Sequence, residues 1–131
     1  TCALPILNLF WRLMADVLGE SMPKDYPSRC ELLKGNRIAL WDVLAECDIR
    51  GSGDRSITDP VPNDLTSFLN ENEGVHHLFI NGKTAFKYYR KFHSGAIERE
   101  VTLLPSSSPA NAIKYADRLH EWMAIRDALR P

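Results

Sequence analysis

At 131 residues, 44% hydrophobic and 25% charged, the chain has the size and composition of one soluble globular domain with its own core. Sixteen basic residues against seventeen acidic ones leave a net charge of −1, so no global field draws it to nucleic acid or to a membrane, and any DNA contact must be local. Three cysteines without C-x-x-C spacing encode neither a disulfide framework nor a zinc or iron–sulfur site, and the longest apolar run is far short of a membrane span.

Leu7, Phe10, Leu13, Met14, Val17 and Leu18 recur at helical spacing, with Asn8 at the start and Gly19 as the stop. Residues 21–36, punctuated by Pro23, Pro27 and Gly35, read as a loop with room for a short helix. Arg37–Val43 is a nearly continuous apolar run, as expected of a strand covered on both faces. Residues 48–62 hold Gly51, Gly53, Pro60 and Pro62 and are expected to form a long surface loop. Asn63 is the expected cap of a helix carrying Leu65, Phe68 and Leu69.

His76–Ile80 reads as a second buried strand, followed by Asn81-Gly82 and a helix with Ala85, Phe86 and Tyr89 inward. Arg99–Leu104 is the third strand. Ser108-Pro109 has the form of a cap and first position of a last helix, with Ile113, Ala116, Leu119 and Met123 inward. Strands alternating with helices predict an α/β fold, a parallel sheet with helices on both faces.

Three strand ends deliver polar clusters to one edge of such a sheet: Trp41-Asp42, Asn81-Gly82 and Pro105-Ser106-Ser107-Ser108. Open α/β sheets bind ligands at that edge, and a helix starting at Pro109 would favour an anion, phosphate above all. Each cluster also has a bland reading as a turn or cap. Other constellations fail. His76 and His77 are adjacent on a strand and point to opposite faces, and His93 and His120 have no partner at ligand spacing. G-x-S-x-G, P-loop and G-x-G-x-x-G motifs are missing. Trp11, Trp41 and Trp122 lie in apolar patterns and read as core.

Several segments together carry a resemblance. Asn8-Leu9-Phe10-Trp11 comes first, then Ile38-Ala39-Leu40-Trp41-Asp42-Val43-Leu44 with Cys47, Arg50, Gly51, Ser52 and Asp54. Asn63-Asp64, Phe79-Ile80-Asn81-Gly82 with Ala85, and Leu104-Pro105-Ser106-Ser107-Ser108-Pro109-Ala110-Asn111 follow in order. Over nearly its whole length the chain resembles the hypoxanthine (deoxyinosine) branch of the uracil-DNA glycosylase superfamily. The resemblance implies a three-layer α/β/α domain over residues 1–131, with a short, mostly parallel sheet. It implies a base-excision repair glycosylase that flips a deaminated base out of DNA and hydrolyses its N-glycosidic bond, with no metal or other cofactor.

Asn8 matches the Asn of the Asn-x-Phe-Trp segment, to which this branch assigns the catalytic role. An amide can orient a water or stabilise a polar transition state without adding charge. Helix capping is the competing reading of Asn8. Asp42 lies where sister branches read the base with an Asn. An ionised Asp accepts only, which suits the ring N–H of hypoxanthine or uracil. Asn81, with Gly82, is the second base-recognition candidate. Ser106, Ser107, Ser108 and Asn111 match the motif that grips DNA phosphates, and Leu104 stands where other branches place a His. Arg50, Lys87, Arg90 and Lys91 are further candidates for phosphate contact, although charges on helix faces are commonly just solvated.

The expected partner is DNA containing deaminated bases, met by a cytoplasmic monomer with no membrane contact. Two rivals stand beside this reading: a catalytically inactive DNA- or nucleotide-binding module, and a mismatch-specific uracil or thymine glycosylase. Relatives of this kind begin with a further strand and a Gly-x-x-Pro-type loop, which Thr1–Leu7 do not contain. An N-terminally incomplete domain of impaired activity is therefore expected.

Overall fold

The computed structural model describes residues 8–41, 44–49, 57–62, 64–93, 95, 97–110 and 112–130. Asp42, Arg50, Asn63 and Asn111 fall outside these. The chain divides into two compact units, residues 1–40 with 104–131 and residues 41–103.

In the first unit, helix α1 (Phe10–Leu18) buries Phe10, Leu13, Met14 and Val17, the i, i+3, i+4, i+7 set of its apolar stripe, together with Trp11. Gly19 closes it at φ 69, a left-handed conformation that costs glycine nothing. The 21–36 stretch is more ordered than its prolines suggest, for helix α2 spans Tyr26–Gly35. Asp25 caps it by accepting from the Ser28 N–H at 2.8 Å, and Pro27 falls in the first turn, where its missing N–H costs nothing. Leu32 and Leu33 are its buried residues.

The strand expected at Arg37–Val43 is not formed in its described part, because its first residues serve as the stop of α2. Arg37 sits at φ 60 and donates its N–H to Lys34 O, and the Ile38 N–H reaches back to Leu33 O at 2.9 Å. These two bonds make a Schellman cap with arginine in the usual glycine position. The Arg37 guanidinium then donates to Leu129 O at the far end of the chain.

The last helix starts later than Ser108-Pro109 suggests. Helix α5 spans Tyr115–Trp122 and helix α6 Ala124–Leu129. The inward set is Arg118, Trp122 and Ile125, and Ala116 faces solvent. A charged residue at a core position hides this stripe from any hydropathy reading. Tyr115 donates to Asp16 on α1 and lies under the Arg12 guanidinium, 4.0 Å from the ring centre. Burial, then the bond to Asp16, pushes its phenol up to about 12, so the proton stays on tyrosine at neutral pH.

In the second unit, strands β1 (Leu44–Ile49) and β2 (Ile57–Pro62) pair antiparallel, so that the end of β1 and all of β2 fall in the 48–62 stretch expected to be a surface loop. Two register irregularities interrupt the ladder, and β2 carries Pro60 and Pro62, which cannot donate to it. Helix α3 (Leu65–Glu71) is capped by Asp64, not Asn63: its carboxylate accepts from the Ser67 N–H at 3.0 Å and the Ser67 hydroxyl at 2.8 Å. Strand β3 (His77–Asn81), helix α4 (Lys83–His93) and strand β4 (Glu100–Leu104) follow, and β3 and β4 form a parallel two-stranded sheet. His77 reaches across to Thr102 (2.7 Å) and Glu100 (3.3 Å) and stacks on Phe79. Leu65, Leu69, Ile80 and Tyr89 form the core of this unit. Trp41, expected in a core, is 42% exposed and stacks on Phe68. Among the described residues no helix is long and apolar enough to cross a membrane.

Candidate functional site

The start of α1 meets the loop that leaves β4. Asn8 Oδ1 accepts from the Phe10 N–H at 2.9 Å, which satisfies one of the orphan donors of the helix. The same oxygen accepts from the Ser107 hydroxyl at 2.7 Å, across 99 positions of sequence. The Leu9 N–H donates to the Ser107 carbonyl at 2.9 Å. Ser107 thus clips residues 8 and 9 with both its side chain and its backbone. It is fully buried.

An aromatic cluster lies under this clip. Trp122 donates from Nε1 to Pro105 O at 2.8 Å and anchors the loop one residue before Ser106. Phe10 meets Trp122 and Trp11 edge-on, at centroid distances of 5.8 and 4.8 Å. Both tryptophans are buried, as their apolar pattern predicts.

The other hydroxyls of the loop turn inward upon it. Ser106 Oγ accepts from the Ser108 N–H at 3.0 Å, and Ser108 Oγ accepts from the Ala110 N–H at 3.2 Å. These are local side-chain turns, so Ser108 caps a turn and not a helix. The helix N-terminus expected at Pro109 lies instead at Tyr115. The dipole that would have favoured an anion at Pro109 is therefore not there, and the N–H groups of Ser108 and Ala110 are already engaged.

The sequence-predicted residues divide accordingly. Asn8, Ser106, Ser107 and Ser108 come together in the first unit. Asn81 ends β3 in the second unit and is followed by Gly82 at φ 92, a left-handed turn closed by the Gly82 N–H on Ile80 O. Asp42 and Asn111 lie outside the described residues. Leu104, where sister branches have a His, is buried at the end of β4 and contributes to packing.

On the second unit, α4 carries Lys83, Lys87, Arg90 and Lys91 exposed along one side, lining a shallow groove with Phe86. The helix holds no acidic residue, and none of the four makes an ion pair among the described residues. A second groove is of the opposite character. Glu73, Glu98 and Glu100 line it with His76 and Arg99, at the end of the strands where β3 and β4 begin.

Comparison with known proteins finds relatives that cover most of this chain. A protein of Methanosarcina acetivorans named hypoxanthine DNA glycosylase is 34% identical over 119 residues, 90% of this chain and 74% of its own length. A protein of the same name from Methanosarcina barkeri is 31% identical over 116 residues, 88% of this chain and 72% of its own. A solution NMR structure from M. acetivorans, described as that of a proposed uracil DNA glycosylase, superposes with a TM-score of 0.77 at 33% identity, over 93% of this chain and 75% of that one. No family model matches the chain.

Proposed function

The chain belongs to the hypoxanthine DNA glycosylases, and from that membership we propose that it removes hypoxanthine from DNA by hydrolysis, with Asn8 as its catalytic residue. The observation that carries the assignment is the clip between Asn8 and Ser107. It joins two of the segments that carry the family resemblance, from opposite ends of the sequence, in one place.

In the reaction the bond between the sugar C1′ and the base nitrogen breaks, its electron pair leaves with the base, and water adds to C1′. The base must first leave the stack, since C1′ and the bond to be cut are screened inside the duplex. Asn8 brings an uncharged amide to this step. Asp42 and Asn81 are proposed to read the extruded base: a carboxylate accepts the ring N–H shared by hypoxanthine and uracil, and Asn81 stands at the carboxyl end of a parallel strand, where α/β sheets bind their ligands.

Ser106, Ser108 and Asn111 are proposed to face the DNA backbone near the extruded nucleotide. Ser107 is not, because its buried hydroxyl is committed to Asn8. The exposed cations of α4 are proposed to contact DNA phosphates. From Lys83 to Lys91 the helix advances about 12 Å, past roughly three or four phosphates of one strand. Action as a monomer in the compartment that holds the DNA completes this reading.

The test is excision from duplexes carrying a single deoxyinosine, followed by alkaline cleavage, with Asn8→Ala beside the parent. The same assay on deoxyuridine addresses the second substrate, which is suggested by the likeness to a structure described as a proposed uracil DNA glycosylase. Competition between the two duplexes gives the order of preference. A parent protein that binds both duplexes and cleaves neither would be a binding module.

A further inference from the structure

An amide offers two different services to a hydrolysis. Its oxygen can accept from a water and align it, or its nitrogen can donate to a group on which negative charge builds. The surroundings of Asn8 decide between them. The Phe10 backbone N–H can only donate, so the atom it meets at 2.9 Å is the amide oxygen and not the nitrogen. The amide is thereby oriented by the helix itself. Ser107, meeting the same oxygen at 2.7 Å, must then be the donor of its pair. A carbonyl oxygen has two lone pairs, and both are now engaged. Among the described residues neither hydrogen on Asn8 Nδ2 has an acceptor.

Resting on the assignment of Asn8 above, we infer that Asn8 acts as a hydrogen-bond donor, and that Ser107 is a positioning residue that holds its amide with the NH2 group outward. The donor serves the leaving base, whose ring nitrogen or carbonyl oxygen takes up the electron pair of the breaking bond. Preorganised donors aimed at developing charge need no rearrangement at the moment of reaction. Water adds to C1′ and its proton ends on the departed base, so the step balances without a second catalytic group on this chain. Removing the Ser107 hydroxyl frees one lone pair of Asn8 and leaves the ring-like clip with its backbone half only. The amide can then rock or turn over, which exchanges donor for acceptor at the working end.

Two variants separate this from its rivals. Asn8→Asp keeps an oxygen for the Phe10 N–H and another cap-forming side chain, but an ionised carboxylate cannot donate. Single-turnover excision of deoxyinosine by Asn8→Asp is expected to fall on the order of 100-fold or more near neutral pH, as far as Asn8→Ala. Measured relative to the parent at each pH from 8 to 5, any recovery is expected on the acid side, where a protonated carboxyl again has a hydrogen to donate. An Asn8→Asp protein that works near neutral pH, with a rate that climbs as pH rises, overturns the inference, since that is the behaviour of a water-activating base.

Ser107→Ala is expected to lower the single-turnover rate constant by roughly 10-fold or more, with reaction amplitude and DNA dissociation constant unchanged, and Ser107→Cys, which retains a weak donor, to recover part of it. A purely structural serine would lower the amplitude, through the folded fraction, and leave the rate constant alone. That result overturns the positioning role. If Asn8→Ala itself retains full activity, the assignment of Asn8 has failed and not merely its donor role.

Discussion

The clip at Asn8 and the basic side of α4 are built on opposite terms. At the clip one buried hydroxyl, one amide and three backbone groups are held at fixed distances, carry no net charge and are shielded from salt. On α4 four cations stand in solvent without ion-pair partners among the described residues, and none needs a particular rotamer. The first arrangement suits an interaction whose strength depends on tenths of an ångström. The second suits a polyanion that slides past, where the number of charges matters more than their placement. Rate and affinity are therefore expected to be separable by mutation.

The sharpest break of that division is Asn8→Ala. Excision should fall on the order of 100-fold or more while affinity for undamaged duplex stays within a few-fold, read by single-turnover kinetics beside fluorescence anisotropy. A parallel loss of affinity would mean that Asn8 docks DNA. Next in size is the foundation of the clip. Trp122→Phe keeps a ring in the aromatic cluster but removes the donor to Pro105 O, and should cost about 1–3 kcal/mol in chemical denaturation. Because the loop is then without its anchor, the excision rate should fall as well.

The converse variant neutralises α4. Lys87→Gln, Arg90→Gln and Lys91→Gln together should reduce the slope of log K against log salt for undamaged duplex by up to about 2.7, roughly 0.9 for each phosphate that a cation no longer neutralises. The excision rate constant at saturating protein should not move. An unchanged slope would make α4 a solvated face and nothing more.

The smallest effect lies outside both regions. Hydrogen bonds from Ser28 and Ser67 hold the Asp25 and Asp64 carboxyls below the usual carboxylate range. A depressed folded-state pKa stabilises above the unfolded value near 4, and that contribution is lost as pH falls through the folded value. Replacing both by Asn keeps the caps and should flatten the acid limb of the stability curve slightly, as followed by circular dichroism from pH 5 to 2. Activity near neutral pH should be untouched.

What the sequence makes legible follows the same physics. β3, α4 and β4 are plain because each keeps a single period over its length, and α1 because Gly19 ends an unbroken apolar stripe. Arg37–Val43 misleads because apolar content does not reveal that Arg37 and Ile38 are already used to cap α2. α2 itself is signalled by Asp25, Pro27 and Ser28, a cap and first turn easily taken for loop punctuation. α5 hides behind Arg118, whose buried guanidinium occupies a core position. At the site, the motifs name Asn8 and the serines but not the division of labour among them. Three identical residues in a row differ only in where their hydroxyls point, and for Ser107 that depends on a residue 99 positions away.

That separation has a consequence for the order in which the molecule is made. The first unit is discontinuous, residues 1–40 with 104–131, and both Asn8–Ser107 and Arg37–Leu129 close across the whole second unit. A nascent chain emerging from the ribosome can pair β3 with β4 while α1 still waits for Ser107 and Trp122. Pairings of such long range are late and slow to form, since loop closure must precede them. The amide of Asn8 is thus among the last groups to be set in place, and a chain interrupted between α4 and residue 107 carries the cations of α4 and Asn8 itself without the hydroxyl that holds Asn8 in position.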